Sequence, residues 1–279
     1  MTMLSFSKMH GLGNDFMVLD LVTQHWDVDP HRVAAWGNRH TGVGFDQLLI
    51  LAPPADPDAD FAYRIYNTDG SAAEQCGNGA RCIARFAHER GLSPKAELIF
   101  ETATGRMTTV LKDQDQVEVD LGSPVFEVDA VPFLPPATPV DDCYTLPTSQ
   151  GPVQLLPVSM GNPHGVVFVE QVAEAPVAEL GPELTGHEAF PEQANIGFCQ
   201  VIDRGFLRLR VHERGIGETL ACGSGACAAV AAAHQRGLVD DRVKVSLPGG
   251  KVRISIEPEQ GHLLLSGSTS TVFSGSIEV

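Results

Sequence analysis

Short runs in which apolar or aromatic residues partly alternate with polar ones recur along the chain, and they predict strands. The clearest are residues 61–66 (Phe-Ala-Tyr-Arg-Ile-Tyr) and 206–211 (Phe-Leu-Arg-Leu-Arg-Val). Further strands are expected at 107–111, 116–121, 251–257 and 262–265, several of them starting after a glycine. Residues 80–90 and 226–236 are strong helix formers without proline, and each run stops at a glycine, Gly91 or Gly237, the residue type expected just past a helix end. The balance predicts more strand than helix. Between residues 131 and 157 fall Pro132, Pro135, Pro136, Pro139, Pro147, Pro152 and Pro157, a density that predicts an irregular connection. A smaller Pro-rich piece, residues 52–57, reads as a surface loop without chemistry.

The pattern repeats once. A shift of 146 positions lays Cys76-Gly-Asn-Gly-Ala80 on Cys222-Gly-Ser-Gly-Ala226, His88 on His234, and Arg90-Gly-Leu92 on Arg236-Gly-Leu238. With a shift of 145, Gly105 meets Gly250 and Gly122-Ser123 meets Gly267-Ser268. Register kept over that length marks an internal duplication, with the boundary between the halves near Asp120. In each copy a strand leads through a turn to the Cys-Gly motif, and the motif opens a helix. Cys76 and Cys222 are therefore expected at helix N-termini.

Composition narrows the class. The chain has 279 residues, 43% of them hydrophobic, and a mean hydropathy near zero, enough for one large or two medium domains with real cores. Lys and Arg number 19 against 35 Asp and Glu, a formal charge of −16 that repels phosphate backbones and anionic lipid headgroups, so nucleic-acid and membrane partners are not expected. The longest apolar stretch, residues 226–233, is far too short to span a bilayer, and the N-terminal residues carry no signal-peptide pattern. Cysteines at 76, 82, 143, 199, 222 and 227 in a chain this large fit reduced thiols and a cytoplasmic location.

Paired cysteines at helix starts suit proton transfer. A thiol ionises more readily at a helix N-terminus, and the glycines behind each sulfur leave backbone N–H groups open to a carboxylate. Inversion at a carbon needs a base on one face and an acid on the other, and a twofold-related pair of thiols supplies both. Donors already aimed at the carboxylate stabilise the charge that develops as the α-proton leaves, so neither a metal nor a cofactor is required. The rival readings are weaker. Cys-x5-Cys and Cys-x4-Cys do not match zinc spacings, and the Cys-x-x-Cys of thioredoxin-like redox proteins is absent. The lysines, at 8, 95, 112, 244 and 251, stand away from the cysteine motifs, which disfavours a pyridoxal enzyme. Cys82 and Cys227 read as core packing, and Cys143 and Cys199 carry no assigned role.

Several blocks resemble the diaminopimelate epimerase family: residues 8–16 (Lys-Met-His-Gly-Leu-Gly-Asn-Asp-Phe), 42–47 (Gly-Val-Gly-Phe-Asp-Gln), 66–70 (Tyr-Asn-Thr-Asp-Gly), 75–82 (Gln-Cys-Gly-Asn-Gly-Ala-Arg-Cys), 160–164 (Met-Gly-Asn-Pro-His), 194–197 (Ala-Asn-Ile-Gly), 211–215 (Val-His-Glu-Arg-Gly) and 217–226 (Gly-Glu-Thr-Leu-Ala-Cys-Gly-Ser-Gly-Ala). The resemblance implies an α/β (α+β) fold of two pseudo-symmetric halves, each a mainly antiparallel, barrel-like sheet around a central helix, with the active site in the cleft between them. Residues 1–120 would form the first half, joined by a returning C-terminal strand, 268–279, and residues 121–267 the second. The implied reaction is conversion of LL-diaminopimelate to the meso form, without cofactor, in a homodimer.

By motif position, Cys76 and Cys222 would be the acid–base pair, with His164 and Glu213 assisting. Asn14, Gln47, Asn67, Gly77, Asn78, Asn162, Asn195, Glu213, Arg214, Gly223 and Ser224 would bind the substrate. Amide groups, a carboxylate and an arginine fork suit a ligand with a second ammonium and carboxylate. A racemase of proline- or histidine-type substrates on the same scaffold is the nearest alternative, and a thiol redox protein the alternative from another class. One departure is Ala72, where relatives often carry an acid; the acid in this loop is Glu74, two residues on, and the departure touches the turn before Cys76 without touching the proton chemistry.

Overall fold

The computed structural model describes residues 3–73, 76–113 and 116–279, so Glu74 and Gln75 of the loop before Cys76 lie outside the described residues. By contact the chain divides into two units, Met1–Asp120 with Ser266–Val279, and Leu121–Leu265.

The first unit runs β1 (Met3–Gly11), β2 (Asn14–Asp20), α1 (Pro30–Gly37), β3 (Gln47–Ala52), β4 (Phe61–Asn67), β5 (Ala72–Ala73), α2 (Gly77–Glu89), β6 (Glu97–Thr102), β7 (Gly105–Asp113) and β8 (Gln116–Asp120). The second runs β9 (Tyr144–Leu146), β10 (Val153–Ser159), β11 (Pro163–Phe168), α3 (Val177–Thr185), β12 (Asn195–Asp203), β13 (Phe206–Glu213), β14 (Gly217–Thr219), α4 (Gly223–Gln235), β15 (Arg242–Leu247) and β16 (Gly250–Ile256). The chain returns to the first unit along β17 (Leu263–Ser268) and ends in β18 (Ser270–Glu278).

Strand pairing repeats from unit to unit. In the first, β1 pairs antiparallel with β2, β2 parallel with β3, β3 antiparallel with β4, β4 parallel with β6, and β7 joins β6 to β8; β5 lies against β4 and β18 against β1. In the second, β10, β11, β12, β13, β15 and β16 follow the same succession, with β14 against β13 and β9 against β10. The expected mixed, strand-rich fold is present, and the sheet curls around a helix without closing into a barrel. Helix α2 packs on β1, β2, β3, β7 and β8, and α4 on β10, β11, β12, β13 and β16.

The other face of each sheet is covered too. Val33 and Trp36 of α1 cluster with Met17, Leu19, Leu48 and Ile50, while Val177, Leu180 and Leu184 of α3 cluster with Leu155, Val167, Ile196 and Phe198. Strands buried on both faces read as continuous apolar runs, as Leu48–Leu51 and Gly165–Val167 do. In α4 every residue from Gly225 to Ala233 is buried, and the predominance of alanine lets strands approach on all sides.

The proline-rich stretch corrects one expectation. Residues 131–157 include β9 and most of β10, and Val131, Phe133, Leu146 and Leu155 are core. Pro157 sits inside β10 opposite Gly165. N–H groups two apart in a strand point the same way. That of Ser159 points to Val125, and the pairing with β9 ends at Leu155, so the missing N–H of Pro157 falls in the gap between those two contacts.

The first central helix starts closer to the sheet than a side chain allows. A Cβ on Gly79 would lie 2.3 Å from Tyr63 Oη and 3.1 Å from Leu49 Cδ2. Gly79→Ala is therefore expected to destabilise the fold by about 1–3 kcal/mol, although alanine is the better helix former. Tyr63→Phe should recover part of that loss in the double variant, and additive effects in a denaturant-unfolding cycle would contradict the contact.

Candidate active site

The topology gathers polar residues at one end of each unit. In the first, Phe16 at the start of β2 neighbours Gln47 at the start of β3, and Gln47 faces Asn67 at the end of β4. The chain then passes through β5 to the N-terminus of α2. In the second, His164 on β11 neighbours Asn195 on β12, β13 ends at Glu213, and α4 begins after Cys222. Asn14, Gln47, Asn67 and Cys76 thus share one sheet end, and His164, Asn195, Glu213 and Cys222 share the corresponding one.

Each cysteine is the N-cap of its central helix, with extended backbone (φ −150° at Cys76, −116° at Cys222). The sulfur takes the place usually held by a serine or aspartate oxygen. Cys76 Sγ accepts from Gly79 N at 3.3 Å, and Cys222 Sγ from Gly225 N at 3.4 Å. Gly77 and Gly223 are the first helical residues. A sulfur so placed gains from the helix dipole as thiolate.

The surroundings of the two sulfurs differ. Cys76 is half-buried; its sulfur lies 3.7 Å from Asn14 Oδ1, which also accepts from Asn78 Nδ2 at 3.3 Å. Beside this group, Gln47 Nε2 donates to Asn67 Oδ1 at 3.1 Å. Cys222 is buried, and burial together with the Glu213 carboxylate pushes its thiol well above the ordinary value, against the opposing Gly225 N–H and Ser224 hydroxyl. Ser224 Oγ lies 3.7 Å from Cys222 Sγ. A carboxylate held against a buried thiol keeps the proton on sulfur, so Cys222 rests as the thiol.

His164 is buried at 1% exposure, and its Nε2 lies 3.0 Å from Asn162 Oδ1. Burial, reinforced by the Arg214 charge, lowers its pKa to about 3, so the ring is neutral near pH 7. Asn195 Oδ1 accepts from Arg214 N at 2.9 Å, and the Arg214 guanidinium donates to Glu192 O at 2.9 Å.

Several residues around the site carried no role in the sequence reading. Thr219 Oγ1 donates to Glu213 Oε1 and steadies the carboxylate that meets Cys222. Tyr63 donates to Cys76 O at 3.3 Å. Asp46 accepts from Asn14 Nδ2 at 2.9 Å and from Arg39, which also forks onto Asp15. Burial raises the Asp15 carboxyl, but Arg39 and Lys8 overcome it and bring the group down to about 2. Thr219 and Asp46 lie inside the family-like sequence blocks, Asp46 next to Gln47 and Thr219 three residues before Cys222, and that adjacency was the available signal.

Cys82 is fully buried with its thiol pushed up to about 12, as core packing demands. Among the described residues no three His, Cys, Asp or Glu side chains converge to hold a metal ion, and no helix is long and apolar enough to cross a membrane.

The model of the diaminopimelate epimerase family matches residues 6–127 and 156–272 of the chain. The chain belongs to the diaminopimelate epimerase family. A diaminopimelate epimerase of Azotobacter vinelandii is 49% identical over 277 residues, covering 99% of this chain and 100% of that protein. Among solved structures, a hydroxyproline epimerase from Agrobacterium vitis matches with a TM-score of 0.72 at 17% identity, covering 99% of this chain and 91% of that one. A Bacillus anthracis phenazine biosynthesis protein matches with a TM-score of 0.71 at 16% identity, covering 100% of each chain. At such identities these two share the fold of the diaminopimelate epimerase family and nothing finer.

The neutral, buried His164 has a consequence for stability. Its folded pKa lies below the ordinary 6.5, so between about pH 6.5 and pH 3 the unfolded chain takes up a proton that the folded chain refuses. Stability from this group is intact above that window and is lost as the pH falls through it. His212, also lowered by burial, acts in the same direction. Denaturant unfolding of the unsubstituted chain should lose up to ~2 kcal/mol from His164 between about pH 7 and about pH 5. His164→Gln should lose measurably less over the same interval; an equal loss would remove His164 as its source.

Proposed function

We propose that the chain converts LL-2,6-diaminopimelate to meso-diaminopimelate without a cofactor, with Cys76 and Cys222 as the paired base and acid. The observation that carries the reading is that each unit offers one cysteine as the sulfur cap of its central helix, held by the N–H of the third helical residue. Family membership and the 49% identity to a named epimerase support the substrate. The thiolate removes the α-hydrogen as a proton, the electron pair passes into the substrate carboxylate, and the opposite thiol returns a proton to the other face. The sulfurs exchange protonation states in each turnover, so the pair titrates as one system.

The remaining roles follow the chemistry of each group. Gly77, Asn78, Gly223 and Ser224 stand at the two helix starts and suit the carboxylate at the reacting carbon. Neutral His164 and the carboxylate of Glu213 assist there, since an ammonium calls for acceptors and both supply them. Asn14, Gln47, Asn67, Asn162, Asn195 and Arg214 bind the rest of the substrate, the arginine serving the second carboxylate. The product feeds lysine and peptidoglycan precursor synthesis. An acidic composition and six free cysteines support action in the cytoplasm without nucleic-acid or membrane partners. A homodimer is also part of this reading, supported by Met3, Val272 and Phe273 exposed on β1 and β18, which sedimentation of the unsubstituted chain against a Phe273→Asp variant would test.

Cys76→Ala and Cys222→Ala should each reduce epimerisation at least ~10²-fold while the protein still folds by circular dichroism. Solvent deuterium should enter diaminopimelate at the α-carbon during turnover of the unsubstituted enzyme. Turnover within a few-fold of normal in either variant would defeat the two-thiol mechanism, and uptake into proline alone would reassign the substrate.

A further inference from the structure

The side chains around Cys76 form a chain of hydrogen bonds whose direction is fixed at both ends. At one end Arg81, fully buried, donates from Nη2 to Asn78 Oδ1 at 2.9 Å. A guanidinium can only donate, so the oxygen of the Asn78 amide must face it and the NH2 must face away. That NH2 donates to Asn14 Oδ1 at 3.3 Å. At the other end Asn14 Nδ2 lies 2.9 Å from Asp46 Oδ2, and an ionised carboxylate can only accept. Asp46 is itself held by Arg39 Nη2 at 2.6 Å and by Asp15 N at 3.1 Å. Both amides therefore have one orientation, and it leaves Asn14 Oδ1 beside the Cys76 sulfur at 3.7 Å.

We propose that Asn14 is the acceptor for the Cys76 thiol proton, and that Asp46 is a positioning residue that holds the Asn14 oxygen toward the sulfur. Among the described residues Cys76 then meets partners of opposite kind. Gly79 N–H donates to the sulfur and favours the thiolate, and Asn14 Oδ1 accepts S–H and favours the thiol. A sulfur that must hold a proton in one half of a cycle and release it in the other gains from having both. An inverted Asn14 amide would present two donors to the thiolate and strand it in that form. The functional meaning rests on Cys76 being a proton-transfer thiol, as proposed above. The orientation itself does not.

The titratable and charged groups facing this place come from several elements. Tyr63 on β4 is buried beneath the helix start and its phenol is pushed well up by burial, then by the Cys76 charge; Cys82 and Arg81 lie on α2 itself. Beyond Asn14 stand Lys8 on β1, Asp15 on β2, and Arg39 and Asp46 on the connection to β3.

The test reads Cys76 directly and needs no turnover. In a Cys222→Ala background, the rate of iodoacetamide alkylation at the Cys76 peptide is followed against pH by mass spectrometry, since only the thiolate reacts. Asn14→Ala removes the acceptor and should lower the midpoint by about one pH unit, the worth of one hydrogen bond between the two protonation states. Asp46→Ala, at an exposed position, should lower it in the same direction. Asp46→Asn removes the same charge but keeps an acceptor for Asn14, and should shift it by less than half as much as Asp46→Ala. Equal shifts in the two Asp46 variants would assign the effect to charge alone and overturn the proposal. So would an unchanged or raised midpoint in Asn14→Ala or in Asp46→Ala. Failure of the epimerase reading would appear separately, as normal turnover in Cys76→Ala.

Discussion

The constraint on which the rest depends is the capping of each central helix by a sulfur. An N-cap side chain must come from extended backbone and reach the N–H of the third helical residue, and Cys76 and Cys222 do both. The chemistry and the helix start are therefore one piece of structure. The sulfur can reach that N–H only where the helix begins, and the helix begins where a parallel crossover leaves the sheet, between β4 and β6 or between β13 and β15. Glycine at the third position follows from the same geometry. At Gly79 the space is taken by Tyr63 and Leu49, and at Gly225 it is narrowed to 3.1 Å by Val211 and the cysteine itself.

Around that shared plan the two units diverge where a substrate would be held. The first surrounds its cysteine with amides, and the charges of Lys8, Asp15, Arg39 and Asp46 stand one residue further out. The second places a carboxylate, Glu213, against its cysteine and a buried neutral histidine on the neighbouring strand. Position for position under the 146-residue shift, Asn67 corresponds to Glu213 and Asn78 to Ser224. Duplication supplied the geometry twice, and substitution at the strand ends made the two electrostatic settings unlike.

How much of this could be read from the chain varies with the kind of constraint. Helices α2 and α4, their glycine stops and the strands before them were legible because a cysteine cap followed by small residues and a glycine-terminated helix tolerates few alternatives. The duplication was visible in those same segments. It was invisible across β1 to β3 and β10 to β12, whose pairing is nonetheless the same. Those strands need only be apolar on both faces, and many sequences meet that demand without resembling one another. Residues 131–157 misled in the other direction. Prolines argue against a strand only where an N–H has a partner, and whether Pro157 faced a partner depended on where β9 stopped, which is a tertiary fact. Among site residues, the cysteines announced themselves by the repeat. Asp46, Thr219 and Tyr63 did not, because an orienting group is recognised only by what it touches.

Inverting a stereocentre asks for two proton-transfer groups related by pseudo-symmetry, while the molecule being inverted has four different groups on that carbon. A perfectly repeated site would offer the same partners to the ammonium and to the side chain, and could not tell one enantiomeric arrangement from the other by anything except its backbone. Identical helix caps with unlike surroundings resolve that conflict. On the proposed reading the two caps would treat a carboxylate alike, since each opens a helix with backbone N–H groups behind a glycine. The amide set and the carboxylate–histidine set cannot treat the remaining groups alike, since one is neutral and the other carries charge. On the proposed reading, conserved cap geometry accounts for the reversibility of the proton transfer, and the divergence around Asn14 and Glu213 accounts for which molecule undergoes it.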